Sequence, residues 1–248
     1  MSAQHRARPG FSLLDVLVSI AVIAILIALL LPSFASVNET ARRVICQSNV
    51  RQIGLGMLMY ADENRGYLPP SLFLETSGPS RGAPRPQEMV TLRVSPTIAP
   101  DAPWDGLGIL FAQGFVPAPK VFYCPSHSGQ NAYTRYAQTW STLEASEIVC
   151  NYHYRGQGPA GHNSARNTRQ LHLIDPAQSS LISDGMREKA DYNHKVGVNF
   201  FRADLTVHWF DDPAGRLLTL LPSDKENATA EPIIDAWHMF DQAANEER

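Results

Sequence analysis

The side chains best suited to metal binding or nucleophilic chemistry are three cysteines, Cys46, Cys124 and Cys150, and eight histidines. Among the histidines, His127, His153, His162, His194 and His208 lie well inside the C-terminal part of the chain. Their spacing matches no compact ligand set. There is no HExxH, no CxxC pair and no His-x-His, so a zinc ion would have to gather ligands from scattered loops. His194 and Asp204 have the residue types of an acid–base pair across a hairpin, although a structural hydrogen bond that pins the turn is the simpler reading. An odd, small number of cysteines argues against a disulfide framework. In an exported domain Cys124 with Cys150 is the candidate pair, and the alternative is buried free thiols. The expectation is a chain with no catalytic residues, no bound metal and no cofactor.

A different kind of chemistry is signalled near the N-terminus. Asp15 is the one carboxylate in the stretch from Gly10 to Leu31, where Ser19 is the sole non-aliphatic side chain after Val16 and Pro32 closes the run. A bilayer core of about 30 Å needs about 20 mostly apolar residues as helix, and this stretch supplies them. His5, Arg6 and Arg8 precede it and would remain cytoplasmic. Leu30, Leu31, Pro32 and Ser33 make a poor cleavage site for an ordinary signal peptide, which needs small residues there. A plain signal anchor accounts for the length but not for Asp15, since a carboxylate in a membrane helix costs a few kcal/mol and marks function by default.

The elements that would position these residues follow from periodicity. Helical character continues past Pro32 to Asn64, and Cys46, Val50, Ile53, Met57 and Tyr60 recur on one face. Gly66 is the predicted C-terminal cap, and Pro69 and Pro70 forbid continuation. From Ser12 to Asn64 such a helix would be about 80 Å long at 1.5 Å per residue. Residues 69–103, rich in proline, glycine and serine, read as a loop with a short strand at Met89 to Val94. A short helix is predicted in LGILFAQG, stopped by Gly114. Strands are predicted at Ile148 to Arg155, Gln170 to Ile174 and Ser180 to Ser183, then a hairpin turning at Arg202 to Leu205 and a closing helix or strand from Ile233 to Phe240. Residues 127–146 give no reading. The expected class is α+β: a leader at 1–10, a transmembrane helix half at 11–32, an amphipathic half at 33–66, and a globular head at 67–248 built on a small antiparallel sheet. About 185 residues remain beyond residue 60 or so, enough for one core. With 44% hydrophobic and 18% charged residues the chain is globular, and a net charge of -3 gives no general affinity for nucleic acid.

The basic start followed by Gly10, Phe11, Ser12, Leu13, Leu14, Asp15 and an unbroken apolar run resembles the N-terminus of type IV pilins and type II secretion pseudopilins. That resemblance implies a prepilin peptidase cut after Gly10, N-methylation of Phe11, and a carboxylate that meets the terminal amine of a neighbouring subunit inside a filament. The acid is glutamate in nearly all of that family and aspartate here. A second resemblance lies in Arg42, Arg43, Cys46, Asn49, Ile53, Gly54, Tyr60, Gly66 and Pro69, which follow the post-membrane segment of the pseudopilin-like DUF1559 proteins. Phe122, Cys124, Pro125 and Ser126, and then His194 followed after nine residues by Asp204, match later signatures of the same family. Leu205 stands where that family has glycine, which puts a positive-φ turn there in doubt.

Together the resemblances imply a non-enzymatic structural subunit. It would be a single-pass protein of the cytoplasmic membrane, with its head on the outer side and prepilin peptidase, the membrane and copies of itself or related pseudopilins as partners. Asp15 would serve assembly, while Cys46, Asn49, Tyr60, Cys124, His194 and Asp204 would be structural. Calcium is the one ion the resemblance suggests, through Asp204, Asp211 and Asp212, although no EF-hand spacing is present and solvent-facing acidic turns are the simpler reading. Two other functions compete. One is a non-polymerising envelope module that binds carbohydrate or protein through Trp104, Trp140, Trp209 and Trp237; the other is an anchored metal-dependent hydrolase.

Overall fold

The structure, a computed structural model, describes residues 12–74, 84–99, 103–142, 146–159 and 169–246. The chain divides into two compact units, Met1–Ala41 and Arg42–Arg248. Helix α1, Leu13–Glu63, contributes its first part to one and its second part to the other.

In the first unit α1 is apolar on every face, and its side chains are exposed from Leu13 to Leu31. It is the one helix among the described residues long and apolar enough to cross a membrane. The helical backbone runs through position 32 without a break. Ser12 and Asp15 cap its start. The Ser12 hydroxyl accepts from the Leu14 N–H at 3.3 Å, and the Asp15 carboxylate accepts from the Ser12 N–H at 3.2 Å.

The second unit is α+β. Four antiparallel strands form the main sheet in the order β3 (Tyr152–Tyr154), β4 (Ser180–Asp184), β5 (Gly197–Arg202), β6 (Val207–Asp211). A smaller antiparallel pair joins β1 (Thr91–Arg93) to β2 (Ile148–Val149). Short helices α2 (Gly108–Ala112), α3 (Tyr133–Thr142) and α4 (Arg216–Leu220) lead to the closing helix α5 (Ala230–Glu246).

Side-chain alternation along β5 divides the core in two. Phe201 joins the cluster built on Cys46, Val50, Ile53, Met57 and Tyr60 of α1, all buried as their helical spacing requires. Val198 and Phe200 face the opposite way, into a second cluster with Phe210 and with Ile233, Trp237 and Phe240 of α5. The main sheet thus has α1 on one face and α5 on the other. The end of α1 follows the sequence: Gly66 takes φ 82° and returns its N–H to the Ala61 carbonyl at 2.7 Å.

Two local expectations are corrected, and a segment that gave no reading holds a helix. The stretch 148–155 is two strands in different sheets, because the chain bends at Cys150 and Asn151. Gln170 to Ile174 is a 3-10 turn at Leu171–Leu173, with only a single bridge from Gln170 to Tyr67. The unread segment contains α3, whose Tyr136 and Trp140 are buried. The hairpin turn between β5 and β6 keeps a positive φ at Leu205, 70°, despite the missing glycine.

Candidate functional site

Four side chains from distant segments meet in the head. Cys46 comes from α1, Cys124 from the loop after the 3-10 turn Pro119–Phe122, Asp184 from the last position of β4, and His194 from the loop before β5. Their sulfur, oxygen and nitrogen atoms all lie within 4.8 Å of one another, and all four residues are buried. The Cys46 thiol donates to Asp184 Oδ1 at 2.7 Å across 138 residues of chain. Cys124 Sγ is 3.5 Å from His194 Nε2, which lies 3.6 Å from Asp184 Oδ2.

Local structure explains the convergence. The three-and-four spacing of α1 that buries Val50 and Ile53 also turns Cys46 inward. Asp184, paired in register with Tyr152, accepts from the Asn199 N–H at 2.7 Å, so neighbouring strands orient its carboxylate. The Tyr152 hydroxyl donates to Cys46 Sγ at 3.4 Å, and Asn49 Nδ2 donates to the Tyr152 hydroxyl and to the Tyr123 carbonyl. The Trp209 ring meets His194 edge-on and carries the Arg43 guanidinium on its face, 3.5 Å from the centroid.

Burial sets the protonation energetics of the group. It raises the Cys46 thiol well above its ordinary range, and its contacts with Cys124 and Asp184 push the same way. Burial would also raise Cys124, but hydrogen bonds with Cys46 and His194 outweigh it and bring that thiol below its usual value. Burial raises Asp184 against the opposing pull of His194, Cys46 and Asn199. Two thiols, an imidazole and a carboxylate converging in this way can bind a cation, share protons or, through the sulfurs, be oxidised. A cavity of about 400 Å³, lined in part by Asn49, Cys124 and His127, opens beside Cys124.

A family model described as a protein of unknown function (DUF1559) matches residues 35–196. The chain belongs to the DUF1559 family. The match contains all four members of the cluster. No curated protein and no solved structure matches the chain.

The DUF1559 signature residues separate into groups. Cys46, Cys124 and His194 share the cluster, and Asn49 lies behind it, linked to Cys46 through the Tyr152 hydroxyl. Tyr60 is buried against Phe115, away from the cluster. Asp204 is not with His194: β5 lies between them, six residues of about 3.3 Å rise each. The Asp204 carboxylate serves the hairpin turn instead, accepting from the Thr206 N–H at 3.0 Å and from the Thr206 hydroxyl. Asp204 and Asp211 also stand at opposite ends of β6, so Asp204, Asp211 and Asp212 are not gathered round one ion. Asp212 is buried and occupied, accepting from the Arg216, Leu217 and Leu218 N–H groups and the Tyr192 hydroxyl.

All three cysteines are free thiols. Cys124 shares its site with Cys46, while Cys150 donates to the Tyr152 carbonyl at 3.1 Å, so the candidate Cys124–Cys150 disulfide is not formed. Of the other histidines, His153 is buried with Nε2 2.7 Å from the Pro86 carbonyl oxygen, His127 meets Asn193 at 2.8 Å, and His208 stacks on Phe200. His162, Gly10 and Phe11 lie outside the described residues. Trp140 and Trp237 are core residues, and Trp104 packs on Trp140 and Phe111.

Asp184 was not anticipated; the one signal for it is an acid ending the strand Ser180–Asp184, which is buried throughout. Two glycine patterns also occur. Residues 78–82, GPSRG, have GxSxG spacing but lie outside the described residues. Residues 156–161, GQGPAG, have GxGxxG spacing after β3, but β3 pairs antiparallel with β4, whereas the dinucleotide fingerprint belongs to a parallel βαβ unit.

Proposed function

We propose that this DUF1559 protein is a pilin-like structural subunit of the cell envelope. Its N-terminal helix inserts in the cytoplasmic membrane with the basic leader inside and the head outside. Prepilin peptidase cuts after Gly10, Phe11 becomes the methylated terminus, and the trimmed helices of several copies pack together. The observation that carries this reading is the helix from Leu13 to Leu31, apolar on every face and exposed along its length, with a single acid at its front. A helix apolar all round needs lipid or other helices about it, and among the described residues its side chains from Leu13 to Leu31 are exposed. DUF1559 membership and a membrane-capable helix are consistent with an anchored envelope protein, and the filament role is the finer reading built on the leader motif.

Asp15 has two jobs to separate. It accepts from the Ser12 N–H at the helix start, and in the assembly reading its charge meets a neighbour's terminal amine. Asp15→Asn keeps an acceptor for the cap and removes the charge, so it should insert normally and lose the oligomers that in-cell cross-linking through the helix traps in the wild type. Mass spectrometry of the mature protein should find methyl-phenylalanine at Phe11. An intact Met1 in cells that contain the peptidase would overturn the proposal, and persistent monomers would leave the anchored binding module in its place.

A further inference from the structure

The structure assigns a zinc site to Cys46, Cys124, Asp184 and His194, closed by four protein ligands and tying α1 to the main sheet. It is independent of the filament reading. Two sulfurs, one imidazole nitrogen and one carboxylate oxygen are a set that tetrahedral zinc accepts, and its softness argues against calcium or magnesium. Bond lengths of about 2.3 Å to sulfur and 2.0–2.2 Å to nitrogen or oxygen put tetrahedral ligand atoms roughly 3.3–3.8 Å apart. The Cys124–His194 distance of 3.5 Å and the His194–Asp184 distance of 3.6 Å fall in that range. The Cys46–Asp184 pair is tighter at 2.7 Å, a thiol donating to a carboxylate, and would open toward the same spacing once the thiol yields its proton to solvent and both atoms bind the cation.

The surroundings fit a metal as well as the ligands do. Two thiolates and a carboxylate carry three negative charges, zinc two positive, and the remaining charge needs donors in a buried place. Asn199 supplies a main-chain N–H to Asp184, and Tyr152 a hydroxyl to Cys46. Donors of this kind, held by neighbouring strands, orient ligands and are typical of the layer behind a metal. Among the described residues the cluster includes no fifth protein ligand, and its members leave little surface to solvent, with relative exposures of 0% at Cys46 and Asp184, 3% at His194 and 5% at Cys124. These features describe a structural ion. Outside the cytoplasm the same ion would also keep two adjacent thiols from oxidising to a disulfide.

The test uses the full chain purified in detergent without added metal. Elemental analysis should find close to one zinc per chain after dialysis, and cobalt exchanged into the site should give the intense visible bands of a tetrahedral thiolate complex. Cys124→Ser and His194→Gln should lose most of that metal and the cobalt bands, while Cys150→Ser, a buried thiol away from the cluster, should keep both. Because a ligand variant can misfold, the wild type alone is decisive. Folded wild-type protein with far less than one equivalent of metal, no cobalt bands and reduced thiols would overturn the assignment. So would a Cys46–Cys124 disulfide in peptide mapping of freshly isolated protein. Stoichiometric metal that survives in Cys124→Ser and His194→Gln together would place the ion elsewhere and also refute it.

Discussion

Gly54 provides the sharpest test of how α1 is seated on the sheet. A Cβ built at this position would lie 2.3–2.5 Å from three ring atoms of Phe201, a residue with 0% exposure on the α1 side of β5. Ordinary carbon contacts begin near 3.4 Å, so in Gly54→Ala the ring or the helix must give by about 1 Å. Neither can move freely, since Phe201 pairs in register with Ile182 and Val207 and its ring is enclosed. Overpacking of this size costs about 1–3 kcal/mol. Against it stands the better helix propensity of alanine, about 1 kcal/mol. The net expectation is a loss of up to about 2 kcal/mol, or a few degrees in Tm for a head of this size.

The assay is urea unfolding of the full chain in detergent, followed by tryptophan fluorescence, for wild type, Gly54→Ala, Phe201→Leu and the double variant. Phe201→Leu makes room for the methyl group, so the double variant should be more stable than the sum of the single losses predicts, by at least about 0.5 kcal/mol. If Gly54→Ala is instead stabilised by about 1 kcal/mol, as at a solvent-facing helix position, or if the two changes are additive, the close approach of α1 to β5 is wrong.

Further outcomes follow from the buried polar groups. Burial holds His153 down to about 4 from 6.5, so its neutral form is the one that fits the fold. A base depressed on folding loses stability as pH falls below its unfolded value, and acidification from pH 6.5 to 4 should cost wild type up to about 3 kcal/mol more than His153→Gln. Identical pH profiles in chemical denaturation would refute this. Asp212→Ala strips three N–H groups at the start of α4 and the Tyr192 hydroxyl of their acceptor, and should cost about 2–4 kcal/mol. Added calcium should not restore it, and a calcium-dependent rise in its melting temperature would mean that Asp212 belongs to an ion site after all.

What could be read directly from the residues was whatever depends on neighbours in sequence. The apolar run from Val16 to Leu31, the stripe Cys46, Val50, Ile53, Met57 and Tyr60, the cap at Gly66 and the hairpin around Arg202 to Leu205 are each set by local periodicity or turn chemistry. Gln170 to Ile174 misled because alternating apolar residues suit a strand only when a partner edge is at hand, and there Tyr67 offers a single bridge. α3 escaped because its tyrosines and tryptophan have little helical preference alone, and burial against Tyr123 and Phe122 decides the matter.

The buried cluster belongs entirely to tertiary structure. Cys46, Cys124 and His194 were visible as residues worth noting, yet no spacing rule could join them, since a helix packed on a sheet brings together positions as far apart as Cys46 and Asp184, separated by 138 residues. Asp184 falls just past the predicted strand Ser180 to Ser183, and only the closing of β3 and β5 around it placed an N–H from Asn199 on its carboxylate. The same pairing carried Asp204 to the far end of β5 from His194, because a strand holds its ends apart. Sequence decides which faces are apolar; only the packing of those faces decides which polar atoms are left together inside.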